Sequence, residues 1–139
     1  MKLTVALIQM PCSEDACSNL QHIKQEIAGA KAQNVRLVVL QELHNTAYFC
    51  QTEDTANFDL AEPIPGPSCE QLARLAQNHK MVIVASLFEK RATGLYHNTA
   101  VIFDSDGKIA GRYRKMHIPD DPGYYEKFYF TPGDLGFQP

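Results

Sequence analysis

VRLVVLQEL, residues Val35 to Leu43, is a compact run of β-branched and leucine side chains that closes on a carboxylate, Glu42. An apolar run without polar alternation predicts a strand buried on both faces, the pattern of a parallel sheet under covering layers. Parallel neighbours need crossover connections, and the flanking sequence supplies them. Upstream, Leu3 to Gln9 alternates as a strand, and Ala16 to Gln33 carries Leu20, Ile23, Ile27 and Ala30 at helical spacing. Downstream, Pro67 and Ser68 open a second helix through His79 with Leu72, Leu75 and Ala76 on its apolar side. Met81 to Leu87 reads as another buried strand. Tyr96 to Phe103 and Lys108 to Arg114 flank Asp104-Ser105-Asp106-Gly107, a hairpin signal. The order β, α, β, α, β and hairpin predicts an α/β layered sheet with right-handed connections and neighbouring strand ends on a common edge. The loop from His44 to Ala61 is longer than a simple connection needs, a length typical of functional loops.

The chain has 139 residues, 45% of them apolar, which suits one globular domain over residues 1–139. A formal charge of −3 leaves no basic footprint, so no nucleic-acid partner is expected. No apolar run approaches bilayer length, and MKLTVALIQMP lacks the apolar centre of a signal peptide. The expectation is a cytoplasmic protein with no membrane partner. Cys12, Cys17, Cys50 and Cys69 show no CxxC pairing and are expected to be reduced thiols. Cys12 and Cys17 with His22 match no zinc spacing.

Glu42 follows the apolar run at the carboxyl end of a strand, the edge at which open α/β sheets place ligands. A carboxylate there beside an amine suits a general base, although a strand that simply ends in a polar residue is the more ordinary pattern. Lys115 follows the hairpin strand and precedes a loop rich in Pro, Gly, Asp and Tyr; its ammonium is a candidate oxyanion stabiliser. Taken alone, Arg112, Arg114 and Lys115 read as a solvated strand end. Glu126, in GYYEKFYF, is a candidate partner that fixes Lys115, or else an exposed acid beside Lys127.

VALIQM, LVVLQEL, YHNTAVIFDSDGKIAGRYRKMHIP and FTPGD occur in that order across essentially the whole chain. In these motifs the sequence resembles the nitrilase, or carbon-nitrogen hydrolase, superfamily. QELHNTAYFCQ and KMHIPDDPGYYEKFYFTPGD are most similar to its N-carbamoylputrescine amidase branch. The resemblance implies an α-β-β-α sandwich of which this chain is the N-terminal half. It implies a Glu-Lys-Cys triad, with Glu42 as base, Lys115 at the tetrahedral intermediate and a cysteine attacking the carbonyl carbon. It implies a small-molecule substrate, no cofactor, no metal, and a homo-oligomer in the complete protein.

The same resemblance places the nucleophilic cysteine beyond Pro139, so that the chain is expected to be inactive alone and to leave apolar sheet surface exposed. Cys50 lies within the YFCQ wording and is expected to be a loop thiol. Asp120, Asp121, Tyr124 and Tyr125 are candidate contacts for a cationic alkyl-ammonium tail; Asp-Asp-Pro-Gly is also a turn sequence. Two alternatives stay open: a non-catalytic module that pairs with a complete subunit, and a hydrolase of another amide or ureide.

Overall fold

The computed structural model describes residues 2–137, so Met1 and Pro139, the ends of the expected domain, lie outside the described residues. Its strands are β1 (Val5–Ile8), β2 (Leu37–Leu40), β3 (Val82–Ala92), β4 (Leu95–Phe103) and β5 (Ile109–Arg114). Its helices are α1 (Ala16–Ala32), α2 (Pro67–His79) and the short α3 (Glu126–Tyr129). The strands form one five-stranded sheet in chain order. β1, β2 and β3 run parallel, and β3, β4 and β5 form an antiparallel meander.

The two long helices begin and end where their sequence directs. Asp15 caps α1 by accepting from the Cys17 backbone N–H at 2.9 Å. Pro67 stands at the first turn of α2, where its missing N–H costs nothing. Beyond His79 the chain turns through Lys80 in the left-handed region and re-enters the sheet. Ile23 and Ile27 of α1 and Leu72 and Ala76 of α2 meet Val38, Ile83, Val101 and Phe103 in one buried cluster. Both helices therefore cover the same face of the sheet.

The other face has no second layer among the described residues. Leu7, Val39, Val84 and Ile102 sit opposite one another across four strands, and Leu7 is 79% exposed. This corrects the expectation for β2: Val38 and Leu40 are buried, but Leu37 and Val39 are only half-buried. Successive side chains point to opposite faces, and the helices shield one of them. Some expected boundaries also move. β3 runs on past Leu87 to Ala92 and joins β4 through a tight turn at Gly94, whose φ of 75° suits glycine. The loop from His44 to Ala61 contains a 3-10 turn, Thr55–Leu60, capped by Asp54.

A second cluster, aromatic, sits at the far end of β3 and β4. Phe88 and Tyr96 of the hairpin meet Phe49 and Phe58 of the long loop and Tyr129 and Phe130 at α3. Ring pairs of this kind contribute beyond their buried area. The cluster binds three distant segments together at the edge where Glu42 and Lys115 emerge. Among the described residues no helix is long and apolar enough to cross a membrane.

Candidate active site

Glu42 lies two residues past β2, just before Leu43, whose φ of 50° turns the chain sharply. A left-handed leucine is uncommon; the Leu43 N–H donates to Ser86 Oγ of β3 at 3.1 Å. Lys115 follows β5. Its N–H donates to the Asn98 carbonyl at 2.9 Å, and its own carbonyl accepts from Gly133 N–H at 2.8 Å. The backbone on both sides of the lysine is thus held. Its side chain points away from that of Arg114, because neighbours on a strand alternate.

Three charged groups meet at Lys115. Nζ donates to Glu42 Oε1 at 3.1 Å and to Glu126 Oε2 at 2.7 Å. Glu126 opens α3, is 3% exposed, and also accepts from the Tyr48 hydroxyl at 3.0 Å. Asn98 Nδ2 donates to Glu42 Oε1 at 2.7 Å. Burial alone would lower the Lys115 pKa, but the carboxylates of Glu126 and Glu42 outweigh it and hold the group above its ordinary value. Lys115 is an ammonium at neutral pH. Burial, then the hydrogen bond to Glu126, raises the Tyr48 hydroxyl far above its ordinary range, so it remains a neutral donor.

Glu42 is the most open of the three, with about half its side chain exposed. With Lys115, Asn98 and Ser86 it borders a hollow of about 370 Å³ whose other walls include Val84, Ala100 and Tyr113. Those walls belong to the uncovered face of the sheet. The arrangement sets a carboxylate and an ammonium at one rim of an apolar surface, and an acyl carbon placed there would have a proton acceptor and an oxyanion donor within reach.

Glu42, Lys115 and Glu126 come together; the remaining predicted site residues lie apart from the hollow's lining. Asp120 and Asp121 are exposed. Asp121 pairs with Tyr124 in a tight turn through Gly123, closed by Tyr124 N–H donating to the Asp121 carbonyl at 2.7 Å. Tyr124 is 58% exposed, with its ring centroid 6.0 Å from that of Tyr48. Tyr125 is half-buried and its N–H donates to the Cys50 carbonyl at 2.8 Å.

Arg114 corrects the reading of a solvated strand end. It is 6% exposed and grips Glu89 with two bonds, Nε to Oε2 at 2.8 Å and Nη2 to Oε1 at 2.6 Å. Glu89 is itself buried on β3, and a buried carboxylate requires a partner. Thr99 and Asp134 complete the network, with Arg91 also on Asp134. The four thiols are free. Cys50 is fully buried and pushed up to about 12, first by burial and then by the Glu126 charge. Among the described residues no group of three or more His, Cys, Asp or Glu side chains is placed to hold a metal.

Sequence reasoning missed Asn98, Ser86 and Tyr48. An amide at the head of the mostly apolar stretch NTAVIF, and a serine within the expected buried strand Met81 to Leu87, were the available signals. Tyr48 had none, since its partner Glu126 is remote in sequence.

A sequence profile for the carbon-nitrogen hydrolase family matches residues 4–139. The N-carbamoylputrescine amidase of Solanum lycopersicum is 39% identical over 137 residues, 98% of this chain and 45% of that protein. The citrullinase of Francisella tularensis is 36% identical over 137 residues, 98% of this chain and 48% of that protein. The chain spans about half the length of these curated relatives. Among solved structures, a carbon-nitrogen hydrolase from Helicobacter pylori G27 superposes with a TM-score of 0.93 at 50% identity, covering 97% of this chain and 46% of that one. Saccharomyces cerevisiae Nit3, of the nitrilase superfamily, gives 0.79 at 28% identity over 97% of this chain and 50% of its own. With nearly its whole length matched and its fold shared by these structures, the chain belongs to the carbon-nitrogen hydrolase family, within the nitrilase superfamily.

Proposed function

We propose that residues 1–139 are the N-terminal part of a single hydrolase domain. They supply the base and the ammonium of a site that converts N-carbamoylputrescine to putrescine, carbon dioxide and ammonia in polyamine biosynthesis. The observation that carries this reading is the convergence of Glu42 and Glu126 on Lys115 Nζ at 3.1 and 2.7 Å beside an open hollow. The named amidase relatives, 39 to 40% identical, support the substrate.

In this reading Glu42 takes the proton of a cysteine thiol as the sulfur electron pair forms a bond to the ureido carbonyl carbon. The carbonyl electrons move onto oxygen, where Lys115 donates to the oxyanion. Glu42 returns the proton to the departing nitrogen, and ammonia leaves a carbamoyl thioester. Water, deprotonated by the same carboxylate, displaces the thiol and releases an N-carboxyamine that divides into carbon dioxide and putrescine. Lys115 holds its proton throughout because Glu126 and Glu42 both favour the ammonium.

The nucleophile is assigned to a segment outside residues 1–139, which leaves this chain inactive alone. Cys50 and Cys69 are buried, and neither Cys12 nor Cys17 borders the hollow. Asp120, Asp121, Tyr124 and Tyr125 are proposed to meet the cationic tail at the outer side of the site, where both carboxylates are exposed and the exposed Tyr124 ring lies beside Tyr48. The reading carries with it a cytoplasmic homo-oligomer.

The citrullinase relative favours a second substrate with the same terminal ureido group and an amino-acid end. Ammonia release by the complete protein, measured on N-carbamoylputrescine, citrulline and 3-ureidopropionate, separates these. The expected kcat/KM is higher for the cationic diamine derivative by ~10-fold or more, the scale of pocket-level discrimination. Preference for citrulline would reassign the substrate, and silence on all ureides and amides would overturn the enzyme reading.

A further inference from the structure

Asn98 is 4% exposed and stands on β4 directly opposite the start of the Lys115 segment, on the sheet face that is otherwise apolar. Both of its polar ends are engaged with the site. Its backbone carbonyl accepts from Lys115 N–H at 2.9 Å, while its side-chain Nδ2 donates to Glu42 Oε1 at 2.7 Å. Oδ1 accepts from Ser86 Oγ at 3.1 Å, and Ser86 Oγ accepts from Leu43 N–H at 3.1 Å.

The polarity of this chain of hydrogen bonds is determined at its two ends. At one end the Glu42 carboxylate can only accept, so the Asn98 NH₂ group faces it; at the other the Leu43 backbone N–H can only donate, so Ser86 Oγ accepts from it. The Asn98 carbonyl oxygen is thereby turned to Ser86, whose hydroxyl donates to it. Glu42 Oε1 then receives donors from two sides, Asn98 Nδ2 and Lys115 Nζ at 3.1 Å. Neither donor can act as an acceptor. A proton on Oε1 would confront an amide N–H and an ammonium, while Oε2 has no hydrogen-bond partner among the described residues.

We propose that Asn98, oriented by Ser86, is a positioning residue that reserves Oε1 of Glu42 as a hydrogen-bond acceptor, so that the proton removed from the nucleophile is taken on Oε2. This rests on Glu42 being the base. In the proton transfer the S–H bond breaks, its electron pair stays on sulfur, and the O–H bond forms at Oε2. The same atom later gives the proton to the departing ammonia. The relay also explains the polar pair Ser86 and Asn98 on an apolar sheet face: each buried polar end is matched, as such groups require.

The test uses the complete protein that carries these residues, with kcat and KM for ureido hydrolysis and the thermal midpoint measured together. Asn98→Ala is expected to lower kcat ~100-fold, the penalty of a misplaced reacting group, with KM changed by less than ~3-fold. Ser86→Ala removes the donor that holds the Asn98 carbonyl in place and is expected to lower kcat ~10-fold; Ser86→Thr, which keeps the hydroxyl, restores most of that loss. A purely structural role for the pair would lower the thermal midpoint and leave kcat per folded site intact, and that result overturns the proposal. Equal kcat in Ser86→Ala and Ser86→Thr overturns it as well, and does so even if Asn98→Ala fails to fold. Glu42→Gln is the control for the reading beneath it: full turnover in that variant removes the base assignment itself, whereas a dead Glu42→Gln with an unaffected Asn98→Ala removes only the positioning role.

Discussion

One ammonium between two carboxylates is a costly thing to assemble inside a protein, and Lys115, Glu42 and Glu126 divide the cost unequally. Glu126 is 3% exposed with two donors on its carboxylate; Glu42 stays open to the hollow. Glu126→Ala should therefore destabilise the protein by ~1.5–3 kcal/mol, the range for hydrogen bonds to a charged group, read from urea unfolding. His44, two residues beyond Glu42, makes a separate prediction. It is 1% exposed and its ring nitrogens have no partner among the described residues. Burial lowers its pKa from 6.5 to about 4. Between those values the unfolded chain binds a proton that the folded one refuses, so stability falls as the pH drops from about 6.5 to about 4, by about 3 kcal/mol in all. His44→Leu should flatten that slope in urea titrations at pH 7 and pH 5; an unchanged slope would mean that another group carries it. At this scale the sequence displayed the charged residues but not their arrangement. Glu42 and Lys115 could be singled out by their position at strand ends, whereas Asn98, Ser86 and Tyr48 act through partners that only the folded chain brings near.

Strand ends are where this fold does its positioning, and the segment Thr131 to Asp134 acts as a strap across them. Thr131 N–H donates to Tyr96 at 2.8 Å, Gly133 N–H to Lys115 at 2.8 Å, and Asp134 pairs with Arg114 at 2.8 Å. At Gly133 the strap lies against the Arg114 backbone, and a Cβ there would collide with the Arg114 carbonyl. Backbone cannot yield as a side chain can, so Gly133→Ala is expected to cost about 1–3 kcal/mol and to displace Lys115. The check is unfolding together with turnover; a variant as stable and active as the parent would show that the strap is not tight. Beneath it, Glu89 is held below its ordinary pKa: burial opposes this, but the bonds from Arg114 and Thr99 prevail. A depressed carboxylate contributes above its unfolded value and loses that contribution as acid protonates the folded form, so Glu89 adds to the acid sensitivity below pH ~4.5. The elements themselves were largely legible. α2 spans the residues its proline and apolar spacing announce, and the Asp104 to Gly107 turn joins β4 to β5 as its composition requires. Two features were not. The 3-10 turn at Thr55–Leu60 is too short to show periodicity, and β3's extension through Glu89, Lys90 and Arg91 is polar because it leaves the helix-covered core for the ion network and solvent.

At the scale of the fold, the decisive feature is a sheet with helices on one face and a row of Leu7, Val39, Val84 and Ile102 on the other that no second layer covers among the described residues. Contiguous apolar surface of this kind favours association. Residues 1–139 prepared alone are expected to bind anilinonaphthalene sulfonate and self-associate, and Leu7→Ser to weaken both; a monomeric, dye-silent chain would contradict the open face. The parallel strand at Val35–Leu40 foretold a layered α/β sheet, but one chain's sequence could not reveal which face its own residues leave bare. The hollow beside Glu42 and Lys115 opens on that face, which joins the fold to the proposed chemistry. The most direct test of that chemistry is kcat for ammonia release from N-carbamoylputrescine by the complete protein and by its Glu42→Gln variant, which keeps the shape and removes the proton acceptor. A fall of ~10²-fold or more is expected, the contribution of a positioned general base, with KM little changed; a variant that turns over at the parent's rate would rule out Glu42 as the base.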